Sequence, residues 1–219
     1  MPNELLLVER NDNIATVTLN RPEKRNALNT QLRNEITAAL EELENDDSVS
    51  VAILNAAGPV FCAGFDTKEF ETTSPAEVFS SESSRRYHHR AQHFKKPLVA
   101  AINGPAMGGG FDLAVLCDVR IAAEEAAFGH PEIKFGAPTL FGPLAAVVGG
   151  GLARDLCLSG RRIDAQEALR IGLVSAVVPA ERLLEEVKTA ARTIAEAPAA
   201  TLQGVKSSIV EATAWKFEL

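Results

Sequence analysis

The chain has 219 residues, and its 22 basic against 29 acidic side chains give a net charge of −7. That balance excludes a general nucleic-acid binder, which needs clustered Lys and Arg, while leaving room for one small anionic ligand held by local cations and backbone N–H groups. With 46% hydrophobic residues, a large core is within reach without disulfides or a structural metal.

Residues 5–9 and 14–19 are short aliphatic or β-branched runs separated by Arg10-Asn11-Asp12-Asn13, the pattern of a hairpin. Asn29 or Thr30 can cap a helix running to about Asn45, with Leu32, Ile36, Ala39, Leu40 and Leu43 on one face. Residues 49–54 predict a buried strand, followed by a loop rich in Gly, Ala and Pro. Ser74-Pro75 opens a mostly polar helix reaching about Phe94. Residues 98–102 predict a strand, 104–110 a turn feeding a helix, 119–122 another strand, and Phe128 a short extended piece. From Leu140 the pattern turns helical apart from a strand at 173–178, and Gly149-Gly150-Gly151 separates two helices. Strand–helix alternation followed by helices predicts an α/β core with parallel strands and a helical C-terminal region. The division expected is a core over residues 1–195 and a helical region over 196–219. There is no internal repeat or low-complexity tract.

Cys62, Cys117 and Cys157 are far apart and form no C-x-x-C pair, so they read as buried free thiols in a reducing compartment. Met1-Pro2-Asn3-Glu4 lacks a basic and apolar leader pattern, and Asp112 and Asp118 interrupt the longest apolar run. The expectation is a cytoplasmic protein with neither membrane nor nucleic-acid partner.

Two glycine-bearing turns each follow an apolar strand. One is Phe61-Cys62-Ala63-Gly64-Phe65-Asp66; the other is Ile102-Asn103-Gly104-Pro105-Ala106-Met107-Gly108-Gly109-Gly110. Glycine lets backbone approach a ligand closely, and the second turn opens a helix, whose N-terminus favours negative charge. Gly108-Gly109-Gly110 matches neither a dinucleotide fingerprint, since position 113 is Leu, nor a phosphate loop, since no Lys follows. Either turn alone could merely reverse the chain. Together, two backbone donors from separate turns can converge on one oxygen as an oxyanion hole does.

These motifs, in this order, resemble the crotonase family of enoyl-CoA hydratases and isomerases over nearly the whole length. Asn20-Arg21-Pro22-Glu23-Lys24-Arg25-Asn26-Ala27-Leu28-Asn29 looks like its opening CoA-binding segment. Ala63-Gly64-Phe65-Asp66 and Asn103-Gly104 through Gly110 look like its two oxyanion motifs, and Phe128-Gly129-His130-Pro131-Glu132 like the segment bearing a catalytic carboxylate. Leu158-Ser159-Gly160, Asp164-Ala165-Gln166-Glu167-Ala168 and Gly172-Leu173-Val174 follow as in that family.

The resemblance implies a crotonase-type ββα spiral core. It assigns the oxyanion hole to the N–H groups of Phe65 and Gly109, with the Phe65 ring narrowing the acyl pocket. It assigns catalysis to Glu132 and Asp112, twenty residues apart, and CoA or substrate contacts to Lys24, Arg25, Ala27, Ala63, Gly64, Asp66, Gly108 and Pro131. Two carboxyls divide acid and base labour when their environments separate their pKa values. Away from the motifs, Asp112 would read as a carboxylate serving a helix dipole and Glu132 as a surface acid.

The resemblance also implies no metal, no cofactor beyond the coenzyme A of the substrate, and assembly as a trimer or dimer of trimers. The expected activity is hydration of a 2-enoyl-CoA, with double-bond isomerisation as the alternative and a non-catalytic acyl-CoA-binding subunit as the reading from another class. Two departures matter. Hydratases of the family carry Glu where Asp112 stands, about 1.5 Å longer; dienoyl-CoA isomerases carry Asp there but a further Asp at the position of Leu140. The segment Phe135-Gly136-Ala137-Pro138-Thr139-Leu140-Phe141, which lines the family's acyl pocket, replaces a glycine-rich stretch. The chain also stops at Trp215-Lys216-Phe217-Glu218-Leu219, where family members continue through further helices.

Other candidates are weaker. His88, His89 and His93 fall on the polar helix; His89 and His93 have metal-compatible spacing but no Glu in an H-E-x-x-H arrangement, so a solvated face is expected. His130 could tune Glu132, touch substrate or serve the fold. Ser80, Ser81, Ser83 and Ser84 lack a nucleophile-elbow setting and read as exposed helix.

Overall fold

The computed structural model describes residues 5–213; residues 1–4 and 214–219, including the tail at 215–219, lie outside the described residues. The hairpin forms from β1 (Leu6–Asn11) and β2 (Ile14–Leu19), paired antiparallel. Helix α1 (Thr30–Asn45) follows, its first turn capped by the Asn29 side chain, which accepts from the Leu32 N–H. All five of its predicted apolar positions are buried. Next come β3 (Val51–Ala56), two helices α2 (Pro75–Ser80) and α3 (Glu82–Gln92), and β4 (Leu98–Ile102). The central segment contains β5 (Ala106–Met107), α4 (Gly109–Val115), β6 (Val119–Ala123) and β7 (Ala127–Gly129). Then α5 (Phe141–Val148), α6 (Gly150–Ser159), β8 (Ile163–Asp164), α7 (Ala165–Arg170), β9 (Ala176–Val178), α8 (Ala180–Ala195) and α9 (Ala199–Thr213) complete the described chain.

Six strands form one sheet in the order β1-β2-β3-β4-β6-β9, parallel beyond the opening hairpin, and β5-β7-β8 form a second small sheet. Alternation along the central strands sorts their side chains onto two faces. Val51, Ile53, Val99, Ala101, Ile121 and Ala123 meet Leu183, Val187 and Ala191 of α8. Ala52, Leu54, Leu98, Ala100, Ile102 and Ala122 face the main core under α1 and α4. This is the mixed α/β spiral with helices toward the C-terminus that the motif order implies.

The structure corrects three local expectations. The single helix over 74–94 is two, broken at Ser81, whose extended backbone (φ −60°, ψ 155°) ends α2 while its hydroxyl caps α3. Ser84 is buried, donating to the Val78 carbonyl at 2.6 Å. The strand expected over 173–178 narrows to β9, because Leu173 and Val174 pack into the core as loop. The two-residue strands β5 and β8 carry too few residues for a periodic signal.

Candidate active site

The two glycine-bearing loops are laced side by side. Met107 donates to the Cys62 carbonyl at 2.9 Å and Cys62 donates to the Pro105 carbonyl at 3.2 Å. The opening segment joins them: Leu28 donates to Gly64, Asp66 donates back to Leu28, and Ala63 donates to Arg25. Three side chains that sequence reasoning gave no role hold this arrangement. Asn26 is buried, its amide donating to Ala57 and Val60 and its oxygen accepting from the Arg21 N–H. Arg33 is fully buried, donates to the Leu28 carbonyl at 2.6 Å and to Glu69 at 2.9 Å, and lies 5.2 Å over the Phe65 ring. Tyr87 donates to the Gly109 carbonyl at 3.1 Å, pinning the second loop from α3. The spacing of Ser84, Tyr87, His88 and Ala91 was a readable signal that α3 has a buried face.

Gly64 and Gly108 bring the predicted oxyanion amides together. A side chain on Gly64 (φ +92°) would begin 2.8 Å from the Met107 carbonyl and 3.4 Å from the Gly109 nitrogen, so the Phe65 and Gly109 amides belong to touching stretches of backbone. Among the described residues, neither N–H donates to a protein acceptor. The Phe65 ring and the Leu28 side chain both lie against Gly109, and the ring is turned into an aromatic cluster with Phe79, Tyr87 and His88.

Glu132 and Asp112 meet at the second loop. A side chain on Gly108 would begin 2.9 Å from Glu132 Oε2. Asp112 is in the first turn of α4, 1% exposed, and accepts from His130 Nε2 at 2.9 Å through Oδ1. Among the described residues, its Oδ2 and both Glu132 oxygens are buried without a hydrogen-bond partner; such acceptors are uncommon and mark a site. Burial, then the Asp112 charge, push the Glu132 carboxyl up to about 8, against a downward pull from His130. Burial alone would lower His130, but the charge of Asp112 and its hydrogen bond outweigh that and raise the ring to about 10. The surroundings thus favour the charged form of His130 and the neutral form of Glu132.

Asp112, His130 and Glu132 are also compact enough for a metal ion, with one ligating atom of each within 4.8 Å of the others. Within that cluster His130 Nε2 is already engaged by Asp112 Oδ1 at 2.9 Å.

Residues 9–217 match the family model described as enoyl-CoA hydratase/isomerase. The chain belongs to this family. A probable enoyl-CoA hydratase of Mycobacterium tuberculosis (strain CDC 1551 / Oshkosh) is 42% identical over 212 residues, covering 95% of this chain and 82% of that one. The mitochondrial enoyl-CoA hydratase of Pongo abelii is 40% identical over 189 residues, covering 85% and 65%. The crystal structure of an enoyl-CoA hydratase from Bacillus anthracis superposes with a TM-score of 0.90 at 32% identity, covering 97% of this chain and 85% of that one. An enoyl-CoA hydratase/isomerase from Xanthobacter autotrophicus Py2 gives 0.88 at 36% identity, covering 95% and 80%.

Within this enoyl-CoA hydratase/isomerase chain the remaining predicted residues divide into two groups. Gly64, Gly108, Ala63 and Pro131 belong to the loops just described. Lys24 and Arg25 are exposed, and Ala27 is half-buried, on the segment that runs beside the first loop. The Asp66 carboxylate is engaged within the protein, 2.6 Å from Arg21 and accepting from the Lys68 N–H. His88 overturns the expectation of a solvated face: it is buried against Tyr87, and burial pushes it down to about 4, leaving a neutral ring at pH 7. His89 is exposed and stacks on His93 at 4.0 Å. Leu140, where a dienoyl-CoA isomerase would carry its further acid, is buried among apolar neighbours.

Proposed function

We propose that this chain is an enoyl-CoA hydratase that adds water across the double bond of a 2-enoyl-CoA. The observation that carries the reading is the juxtaposition of two adjacent backbone amides with two carboxyl groups whose oxygens are buried. In the mechanism, the Phe65 and Gly109 N–H groups hold the thioester oxygen. Water adds to the β carbon, the electron pair of the double bond moves onto that oxygen as an enolate, and the fixed donors stabilise it without reorganising. Asp112, through Oδ2, positions the water and takes its proton. Glu132 gives its own proton to the α carbon, and proton return from Asp112 to Glu132 resets the site. Lys24 and Arg25 would meet the CoA phosphates as point charges and forks.

A second reading has one observation in its favour. Asp112 is shorter than Glu and engaged by His130, so Glu132 could work alone, moving one proton between the α and γ carbons as a double-bond isomerase. A product-resolved assay with short, branched, aromatic and long enoyl-CoAs separates the readings. Hydration yields 3-hydroxyacyl-CoA; a pure isomerase yields only migrated double bonds; a binding subunit turns nothing over. As further proposals, the protein works in the cytoplasm, consistent with its three buried free thiols. It needs no cofactor beyond the substrate's coenzyme A, serves fatty acid metabolism, and assembles as a trimer or dimer of trimers, a state that sedimentation would read directly.

A further inference from the structure

Phe128-Gly129-His130-Pro131-Glu132 carries a histidine for which neither the acid–base pair nor the oxyanion hole accounts. Three observations single it out. His130 is fully buried, wedged against the Phe111 ring at 4.6 Å. Its Nε2 meets Oδ1 of Asp112 at 2.9 Å and leaves Oδ2 without a partner among the described residues. That arrangement splits one carboxylate into a tethered oxygen and an available one. Asp112 is also the short acid of the site, with one fewer methylene to set its reach, so its orientation depends on what grips it.

We propose that His130 is a positioning residue for hydration: its N–H holds the Asp112 carboxylate in place, so that Oδ2 takes the proton of the attacking water while Glu132 keeps the proton destined for the α carbon. This deepens the hydratase reading and rests on it. The titratable groups facing the ring are Asp112 from α4, Glu132 from the adjoining turn and Cys157 from α6. Of these, Asp112 is the strong partner. The pair is buried, so removing the cation leaves an unmatched carboxylate in a low-dielectric pocket, where one proton is then contested by two acids.

The test has two arms. In the first, His130→Gln replaces the rigid ring that aims the N–H with a flexible amide and removes the charge. We expect kcat to fall on the order of 10²-fold, as for a misplaced reacting group, and the basic limb of the rate profile to move to higher pH, because the imidazolium no longer draws the Glu132 proton away. In an Asp112→Asn background the same substitution should move neither, since the two residues act as a unit. A folded H130Q protein with an unchanged rate and limb overturns the proposal, as does the same effect with and without Asp112. A histidine serving only the fold would lower stability and leave the limb in place.

The second arm needs no turnover. Nitrogen NMR of the ring in the unmutated protein should find it doubly protonated through pH 8 and neutral at that pH in Asp112→Asn. A ring whose Nε2 carries no proton at pH 8 overturns the proposal even if H130Q does not fold. Absence of 3-hydroxyacyl-CoA from the unmutated enzyme sinks the hydratase reading, a different outcome from hydration with an indifferent His130.

Discussion

Gly108 and Gly110, two residues apart in the second loop, should fail in different ways when a methyl group is added. In Gly108→Ala the new carbon would sit 2.9 Å from Glu132 Oε2 and 3.2 Å from its Cδ. Ordinary contact requires the carboxylate to retreat by about half an ångström, and a 1 Å error at a reacting centre costs about 10²-fold, so a loss of about tenfold in kcat/KM is expected. The backbone at Gly108, φ +53° and ψ −128°, adds strain of about 1–3 kcal/mol, which lowers Tm by roughly 2–12 °C in a chain of this size.

In Gly110→Ala the new carbon would lie 2.4 Å from the Cys62 carbonyl oxygen and 2.6 Å from its Cβ. Those atoms belong to the lacing between the loops and cannot swing aside, so overpacking should cost about 3 kcal/mol or more. Hydration kinetics and thermal melts on both variants, with Gly108→Ala repeated in Glu132→Gln, make the comparison. Gly108→Ala should lose activity that Glu132→Gln has already removed. A folded Gly108→Ala enzyme within twofold of the parent would refute the claim that Glu132 performs its chemistry at that spot.

Glu132→Gln itself should lower kcat by about 10²–10⁴ with a far smaller change in KM, read by steady-state kinetics; a protein of unchanged kcat would remove Glu132 from the mechanism. On the proposed mechanism Glu132 is the acid, and with its carboxyl raised to about 8 the hydration rate should fall as pH rises through that value; this limb should vanish in Glu132→Gln. The same shifts set stability. A group whose folded pKa lies above its unfolded one stabilises the native state most below the unfolded value, and that contribution fades as pH climbs through the folded one. The windows run from 4.5 to about 8 for Glu132 and from 6.5 to about 10 for His130. Urea unfolding should therefore report declining stability from pH 6 to pH 10, with a shallower decline in His130→Gln. Lys206 of α9 donates to Asp118 Oδ1 at 2.5 Å in a nearly dry setting. Lys206→Met should cost about 3 kcal/mol, since breaking a buried pair strands its partner, and limited proteolysis should then cut first in α9.

The large elements were legible because their periodicity is strong. α1 shows its apolar face and its Asn29 cap, β4 reads as an unbroken apolar run, and the glycines of both loops mark where backbone approaches backbone. Long-range pairing was not legible. Nothing local says that Asn26 bonds to Ala57 and Val60, that Arg33 reaches Leu28 and Glu69, or that Tyr87 holds Gly109, because each joins segments whose distance in sequence is unrelated to their distance in space. His88 misled for a related reason: three polar neighbours suggested solvent, while its turn of helix faces the Phe65 ring. The pairing of His130 with Asp112 could not be read either, although the two acids could, since motif order locates residues along the chain but not which nitrogen meets which oxygen.

The most direct test of the account is the isotope-edited vibrational spectrum of a bound, slowly reacting dienoyl-CoA carrying carbon-13 at its thioester carbonyl. Two converging amides should drive the C=O stretch to markedly lower wavenumber than in water, and replacing Phe65 with Pro, which deletes one N–H, should return much of that shift. A carbonyl stretch in the complex indistinguishable from that of the free thioester would contradict the account.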